Sequence, residues 1–232
     1  MKIYAISDLH LSFGSNKPMD VFGEQWKDYL SIIKTDWQER VKTEDVVLVA
    51  GDISWAMRLE DTEEDFKFLG SLNGHIYMIK GNHDYWWNGI SSVRKVLPKN
   101  VTAIQNDAFK AGDYIICGTR GWVVPETQNS GSEEDKKIYA REQIRLDLTL
   151  KSAKALQKNG EKIICMMHYP PTNSAWDDSG FTKLFEEYGV QAVVYGHLHG
   201  KYVNREKVKE KNGIKYYLTS CDQVGNKLVE IE

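Results

Sequence analysis

The stretch that decides the fold is Lys80-Gly81-Asn82-His83-Asp84-Tyr85-Trp86-Trp87. It follows an apolar run, residues 75–79, whose length and composition predict a buried strand. Gly81 then ends the strand, because glycine adopts backbone angles that other residues avoid. An amide, an imidazole and a carboxylate follow in succession, which is an unusual way to leave a buried strand unless these side chains hold something.

Four other predicted strand ends carry side chains of the same kinds. They are Asp8 and His10 after residues 2–7, Asp52 after 46–50, His168 after 163–167, and His197 and His199 after 192–195. Because ligands in open α/β sheets bind beyond the carboxyl ends of the strands, we expect these loops to converge. Together with His83, this set contains five of the six histidines. The sixth, His75, begins a strand and is expected to be structural.

The combination of carboxylate, imidazole and amide suits borderline divalent metals such as Mn, Fe, Zn, Ni or Co. The set is too large for one tetrahedral zinc ion and suits two ions that share a bridging ligand. Two-metal sites, with the ions about 3.5–4 Å apart, stabilise both the attacking and the leaving oxygen of an in-line phosphoryl displacement. The residues alone therefore favour phosphoester chemistry.

The composition excludes several other classes of protein. The 232 residues carry a formal net charge of −3 without a clustered basic patch, so nucleic-acid binding is not expected. No apolar run has the length of a membrane span. The cysteines, which are Cys117, Cys165 and Cys221, are odd in number and lack C-x-x-C spacing, so we expect reduced thiols. A strand that begins at Lys2 leaves no room for a signal peptide, which predicts a cytoplasmic setting. The oligomeric state is not indicated.

Alternating strand and helix patterns predict one α/β domain over residues 1–232, with two packed sheets. One helix is predicted over residues 23–41, because apolar side chains recur there at spacings of three and four. These side chains are Trp26, Tyr29, Leu30, Ile33 and Trp37. The longest predicted helix spans residues 136–158.

Taken together, the motifs resemble those of the calcineurin-like metallophosphoesterase superfamily, and the resemblance runs from residue 8 to residue 199. In chain order the motifs read D-L-H at 8–10, G-D at 51–52, G-N-H-D at 81–84, a lone H at 168 and G-H-L-H at 196–199. The resemblance implies a four-layer α/β/β/α sandwich, in which two packed mixed sheets are flanked by helices.

The resemblance also implies a metal-dependent hydrolase with two divalent ions, such as Mn, Fe or Zn, bridged by Asp52. The implied ligands are Asp8, His10, Asp52 and His199 for the first ion, and Asp52, Asn82, His168 and His197 for the second. His83 is implied as the general acid or as a contact to the phosphate. The implied reaction is cleavage of a small phosphomonoester or phosphodiester by in-line attack of a metal-bridging hydroxide.

Two further residues are candidates for the catalytic site, each with an alternative. Asp84 is a candidate catalytic group, and the preferred alternative is that it holds the loop through backbone hydrogen bonds. Arg120 leaves a strand and is a candidate to clamp phosphate oxygens, with a surface or ion-paired arginine as the alternative.

Four tryptophans follow the motifs closely, namely Trp55, Trp86, Trp87 and Trp176. Each is expected in the core. The alternative is a pocket wall on which a base or another aromatic group stacks.

This sequence lacks motif residues that are typical of two known branches of the superfamily. The resemblance therefore favours a phosphohydrolase of the bacterial type. Residues 51–57 lack the acid and arginine of the G-D-x-x-D-R-G motif of protein Ser/Thr phosphatases, and Trp55 replaces the tyrosine of purple acid phosphatases. A small phosphoester is therefore the expected substrate. A nuclease and a non-catalytic binding scaffold remain as alternatives. The basic run at 201–215 that a nuclease would need also contains Glu206 and Glu210.

Overall fold

The computed structural model describes residues 1–14, 17–127, 130–201 and 203–231, so Tyr202 in the basic run lies outside the described residues. Within these ranges the strands β1 to β11 span Ile3–Ile6, Val46–Val49, His75–Met78, Val101–Ala103, Ala108–Ala111, Tyr114–Thr119, Lys162–Met167, Val190–Tyr195, Val208–Lys211, Ile214–Leu218 and Val229–Glu230. The helices α1 to α5 of the same ranges span Tyr29–Arg40, Glu63–Gly70, Ile90–Val96, Glu133–Leu156 and Gly180–Tyr188.

The described strands form two mixed sheets. The first has the order β11-β1-β2-β3-β4 and the second the order β5-β6-β7-β8-β10-β9. β11, β5 and β9 run antiparallel to their neighbours, and the other neighbouring strands are parallel. A bridge between Ser7 and Ser220 joins the ends of β1 and β10, so the carboxyl edges of the two sheets meet.

The central strands of each sheet are buried on both faces, which explains their apolar sequences. In β1, Ile3 and Ala5 pack between the sheets, whereas Tyr4 and Ile6 pack toward the helices of the first layer. In β7, Met166 packs between the sheets, and Met167 packs in the cluster that includes residues of α4 and α5. The two sheets therefore pack against each other on one face and against helices on the other face. This layer order confirms the α/β/β/α sandwich.

The prediction of a single helix over residues 23–41 is wrong. A 3-10 turn spans Glu24–Trp26, and α1 begins only at Tyr29. Asp28 between them has a φ of 53°, a left-handed conformation that a right-handed helix cannot contain. Trp26 and Trp37 are nevertheless buried, as their spacing predicts.

The longest helix, α4, begins at Glu133 rather than at the predicted residue 136. Ser132 caps it, because its side chain accepts a hydrogen bond from the backbone N of Asp135 while the Asp135 carboxylate accepts one from the backbone N of Ser132. Among the described residues, none of the helices has the length and apolar character needed to cross a membrane.

Candidate metal centre

The structure brings the seven predicted metal ligands together where the carboxyl edges of the two sheets meet. Direct contacts between their side chains or backbones connect all of them: Asp8, His10, Asp52, Asn82, His168, His197 and His199. Most of these residues are buried, so the polar groups lie away from solvent.

A first group consists of Asp8, His10 and His199. Their ligand atoms all lie within 4.8 Å of one another, and Nε2 of His199 is 3.3 Å from Oδ1 of Asp8. Oδ2 of Asp52 approaches this group at 3.7 Å from Nε2 of His10. The group is large enough to provide several ligands to one ion.

A second group surrounds His168. Its Nε2 lies 2.6 Å from Oδ1 of Asn82 and 3.5 Å from Oδ2 of Asp52. The same Asn82 oxygen is 2.9 Å from Nδ1 of His197. Asp8 also belongs to the cluster that contains Asp52 and His168. Both carboxylates thus contact the two groups, so the contacts by themselves do not single out Asp52.

Several of these residues have left-handed backbone conformations. The φ angles are 61° at Asp8, 44° at His10, 52° at Asp52 and 71° at His197. Each such residue stores strain of about 1–3 kcal/mol, which the surrounding fold must offset. The strained residues are those whose side chains converge. The fold therefore keeps these side chains directed at the site even though their backbone conformations are unfavourable.

The glycines of two motifs let backbone approach the carboxylates. A Cβ atom at Gly81 would lie 2.1 Å from Oδ1 of Asp52, and one at Gly196 would lie 2.5 Å from Oδ2 of Asp8. The following loops then donate hydrogen bonds, from the backbone N of His83 to Oδ1 of Asp52 at 2.8 Å and from that of His197 to Oδ2 of Asp8 at 3.0 Å. Each glycine is therefore required by the position of an acid from another loop.

The orientation of two histidines is set by acceptors behind them. Nδ1 of His168 donates to the carbonyl oxygen of Ala50 at 3.0 Å, and Nδ1 of His199 lies 2.8 Å from Oδ1 of Asp222. Both contacts leave Nε2 toward the centre, which is the arrangement typical of metal-binding histidines. Asp222 is absent from the residues singled out by sequence. The sequence feature that could have identified Asp222 is its position shortly after β10, at the same sheet edge as the candidate ligands.

Burial and mutual charge strongly perturb the acids and histidines. Burial and the neighbouring Asp8 carboxylate raise the pKa of Asp52 to about 8. Burial also opposes ionisation of Asp8, but His199, His168 and His10 outweigh it and lower the pKa of Asp8. Burial lowers the pKa of His10 to about 3, whereas Asp8 and Asp222 overcome burial and raise that of His199 to about 10. The chain alone therefore retains protons that a cation would displace.

Buried polar atoms that form no hydrogen bond indicate whether this set of side chains suits a metal ion. Nδ1 of His10 and Nε2 of His199 are buried and have no hydrogen-bond partner among the described residues. Burial lowers the pKa of His168, and its neutral ring donates from Nδ1, so Nε2 and Oδ1 of Asn82 face each other as two acceptors. Buried polar groups are normally paired, and a bound cation would satisfy Nε2 of His199, Nε2 of His168 and Oδ1 of Asn82. The donor set fits divalent metal ions.

The candidate catalytic residues beside the ligands have different surroundings. The half-buried His83 ring lies 4.6 Å from the Trp55 ring and 5.7 Å from that of His10. Within the part of the chain that the structure describes, its buried Nδ1 has no hydrogen-bond partner. Asp84 is fully buried. Its oxygens accept hydrogen bonds from the backbone N atoms of Ile53, Ser54 and Gly81 and from Nε1 of Trp86. These bonds support the loop-holding interpretation of Asp84.

The tryptophans that follow the motifs divide into two kinds. Trp86 and Trp87 are buried in the core, as expected. Trp55 packs against the core between the first sheet and its helices but is partly exposed, and its ring stacks on His10 with the ring centres 4.7 Å apart. Trp176 is also partly exposed, and Arg205 lies over its ring. Trp55 therefore forms one wall of the metal centre.

Arg120 touches the centre through its backbone, while its side chain points elsewhere. Its carbonyl oxygen accepts hydrogen bonds from the backbone N atoms of His168 and Tyr169. Its guanidinium group lies 3.5 Å from Glu142 and over the ring of Trp122. The side chain lines a cavity that is also lined by residues of helix α4.

The fold, the motifs and the clustered ligands are those of a metallophosphoesterase. Residues 1–201 match the family model described as calcineurin-like phosphoesterase, and the chain belongs to this family.

Solved structures with the same fold include the protein of unknown function AQ665 from Aquifex aeolicus, with a TM-score of 0.53, 14% identity, and coverage of 99% of this chain and 95% of that one. TT1561 of Thermus thermophilus has a TM-score of 0.57 and 14% identity, with 99% of this chain and 97% of that chain covered. At this identity the likeness supports the fold alone. The comparison with curated proteins found no match.

Proposed function

We propose that this protein is a two-metal-dependent phosphohydrolase that cleaves a small phosphomonoester or phosphodiester. The observation that carries the proposal is the pair of ligand groups joined by Asp8 and Asp52, with His83 beside them. Clustered carboxylates and imidazoles suit divalent ions, and a neighbouring imidazole suits proton transfer.

The residues that would hold one ion are Asp8, His10, Asp52 and His199, and those for the other are Asp52, Asn82, His168 and His197. Oδ2 of Asp52 supports the bridging assignment, because it lies between Nε2 of His10 at 3.7 Å and Nε2 of His168 at 3.5 Å. When bound, such ions neutralise phosphate charge and lower the pKa of coordinated water toward neutrality.

The chain's own residues would do the remaining work. Asp8 and Asp52 offset only part of the charge of two divalent ions, so the centre stays attractive to a phosphate group. His83 would hold a proton near the departing oxygen and donate it as the ester bond breaks. The ring of Trp55 packs against both His10 and His83, which positions the His83 ring at the edge of the centre.

Removal of metal tests the proposal most directly. Chelator-treated protein should lose its phosphoesterase activity and regain it when Mn²⁺ or a similar ion is added, because the nucleophile and the charge stabilisation both depend on the ions. Hydrolysis of a nitrophenyl phosphate before and after treatment is the measurement. Full activity in protein shown to be metal-free would refute the two-metal proposal.

Asp222→Asn should weaken metal binding without unfolding the protein. An amide oxygen orients His199 less strongly than a carboxylate, and loss of such support typically lowers metal affinity by about 10–100-fold. Titration of metal into chelator-treated parent and variant measures the change. Asp113→Asn, at an exposed turn, is the matched control and should bind like the parent. Equal affinity in all three proteins would show that Asp222 does not support the site.

A substrate panel separates the proposed activity from the alternatives. Aryl and alkyl phosphomonoesters, phosphodiesters, nucleotides, a phosphopeptide and a DNA duplex should be compared with Mn²⁺ present. The small esters should be cleaved with the highest kcat/KM. A nuclease is not favoured, since Lys209 and Lys211 of the basic run are paired with Glu206 and Asp178. Comparable efficiency on the phosphopeptide or the duplex would contradict the assignment.

A further inference from the structure

A cavity of about 200 Å³ lies between the ends of β3 and β6 and helix α4. A water molecule occupies about 30 Å³ of liquid volume, so the cavity has room for one phosphoryl group with some solvent. It is smaller than the roughly 300–1,000 Å³ that is usual for a whole small-molecule site. Its size therefore suits one part of a ligand.

Cations dominate the walls of this cavity. Lys80, Arg120, Arg141 and Arg145 line it, and Glu142 is the one acidic side chain among its described lining residues. The ammonium group of Lys80 and the guanidinium groups of Arg120 and Arg145 thus face the same cavity. Like charges held together in a partly buried place are unfavourable unless an anion joins them.

Glu142 does not compensate all of these cations. Its fully buried carboxylate is 2.7 Å from Arg145, 3.5 Å from Arg120 and 3.7 Å from Arg141. The ammonium group of Lys80 donates to a neutral acceptor, the carbonyl oxygen of Trp87, at 2.7 Å. The oxygens of Asp84, four residues further along the chain from Lys80, already accept hydrogen bonds from four other donors. The cavity thus keeps an excess of positive charge.

The positively charged walls of the cavity also carry hydrogen-bond donors that are available to a ligand. Nε of Arg120 is buried and no described residue hydrogen-bonds to it, and the Arg120 side chain is only 21% exposed. Oε1 of Gln105 accepts from Nε1 of Trp87 at 3.0 Å, which leaves the Gln105 NH₂ group for another partner. Arginine presents a planar set of donors that matches phosphate oxygens in pairs. An oxyanion is the ligand that these groups would recognise.

The cavity and the metal centre share two loops. Lys80 precedes the ligand Asn82 by two residues. The carbonyl oxygen of Arg120 accepts hydrogen bonds from the backbone N atoms of His168 at 3.1 Å and Tyr169 at 3.0 Å. These two loops therefore join the walls of the cavity directly to residues of the candidate metal centre.

We propose that the cavity binds a second phosphoryl group of the substrate, next to the phosphoester cleaved at the metal centre. The substrate class is then a small molecule that carries two phosphoryl groups. This assignment rests on the proposed function, but the presence of an anion site in the cavity does not.

Titration of inorganic phosphate into the chelator-treated full chain tests the anion site alone. The parent should bind phosphate, and Arg145→Gln and Arg141→Gln should each weaken binding by about tenfold or more, the size expected for a lost charge-assisted hydrogen bond. Arg141 has a side chain that is 54% exposed, so its replacement is the safer variant for folding. Arg58→Gln, at a 73% exposed side chain, is the control and should bind like the parent. No binding by the parent, or equal binding by all variants, would overturn the site.

Kinetics with Mn²⁺ present test the substrate assignment. Alkane bisphosphates of increasing length are compared with the matching alkyl monophosphates. The parent should prefer the bisphosphate at one length, and Arg145→Gln or Arg141→Gln should lower that kcat/KM ratio by about tenfold or more. Phosphate binding without any preference for bisphosphates would mean that the cavity takes free phosphate, which overturns the substrate assignment. No hydrolysis of any phosphoester would instead refute the proposed function, while the phosphate titration would still decide whether the cavity binds anions.

Discussion

Asp52→Asn should remove most of the bound metal and lower kcat by at least about a thousandfold, since a lost metal ion removes several kcal/mol of transition-state stabilisation. Oδ2 of Asp52 lies between one histidine of each ligand group, and an amide is a poor bridge between two cations. The substitution keeps an oxygen that can accept the hydrogen bond from the backbone N of His83. The loop should therefore stay in place while the metal site is lost.

Metal content and kcat must be measured on the same samples for this test. Asp113→Asn is the matched control, because Asp113 lies in an exposed turn between β5 and β6. It should keep the parent's metal content and turnover. An Asp52→Asn protein that retained both ions and normal turnover would place the bridge elsewhere. Asp8, which also contacts both ligand groups, would then be the next carboxylate to change.

His83→Ala should separate chemistry from metal binding. Asn82 supplies the contact to His168 and His197, whereas the His83 ring lies beside Trp55. The variant should therefore keep near-parent metal content. General acid assistance is typically worth about 10²–10⁴-fold, and we expect a loss in this range for an alkyl ester, whose alkoxide leaves poorly. A nitrophenyl ester should lose less, because nitrophenolate departs without protonation.

The measurement is kcat for both ester types in parent and variant, with metal content determined in parallel. His75→Ala is a control, since His75 lies 2.8 Å from the Thr102 hydroxyl at the far end of β3 and should not affect the ratio of the two rates. Equal losses on both esters would mean that His83 mainly holds the phosphate. A loss of metal would mean that it is a ligand.

The candidate ligands were predictable from sequence because a change from apolar to polar residues marks the end of each buried strand. A strand buried on both faces must be apolar, so the polar residues after Ile79 or Met167 are conspicuous. Parallel strands then bring such ends to one edge without further information. The periodicity of residues 23–41 correctly predicted buried Trp26 and Trp37, but it did not reveal the left-handed Asp28, because the pattern of burial survives a local break.

By itself, the sequence determined the order of strands and helices, the two-sheet α/β class and the residues that converge at the sheet edge, since each depends on local pattern and strand direction. Only the tertiary structure decided the roles of Asp222 and Trp55 and the cationic cavity around Arg120. Asp222 contacts His199 across 23 residues of chain, and the lining residues of the cavity come from β3, β6, α4 and their loops. Contacts of this kind arise from the packing of distant segments, and no local pattern of residues records which segments will meet.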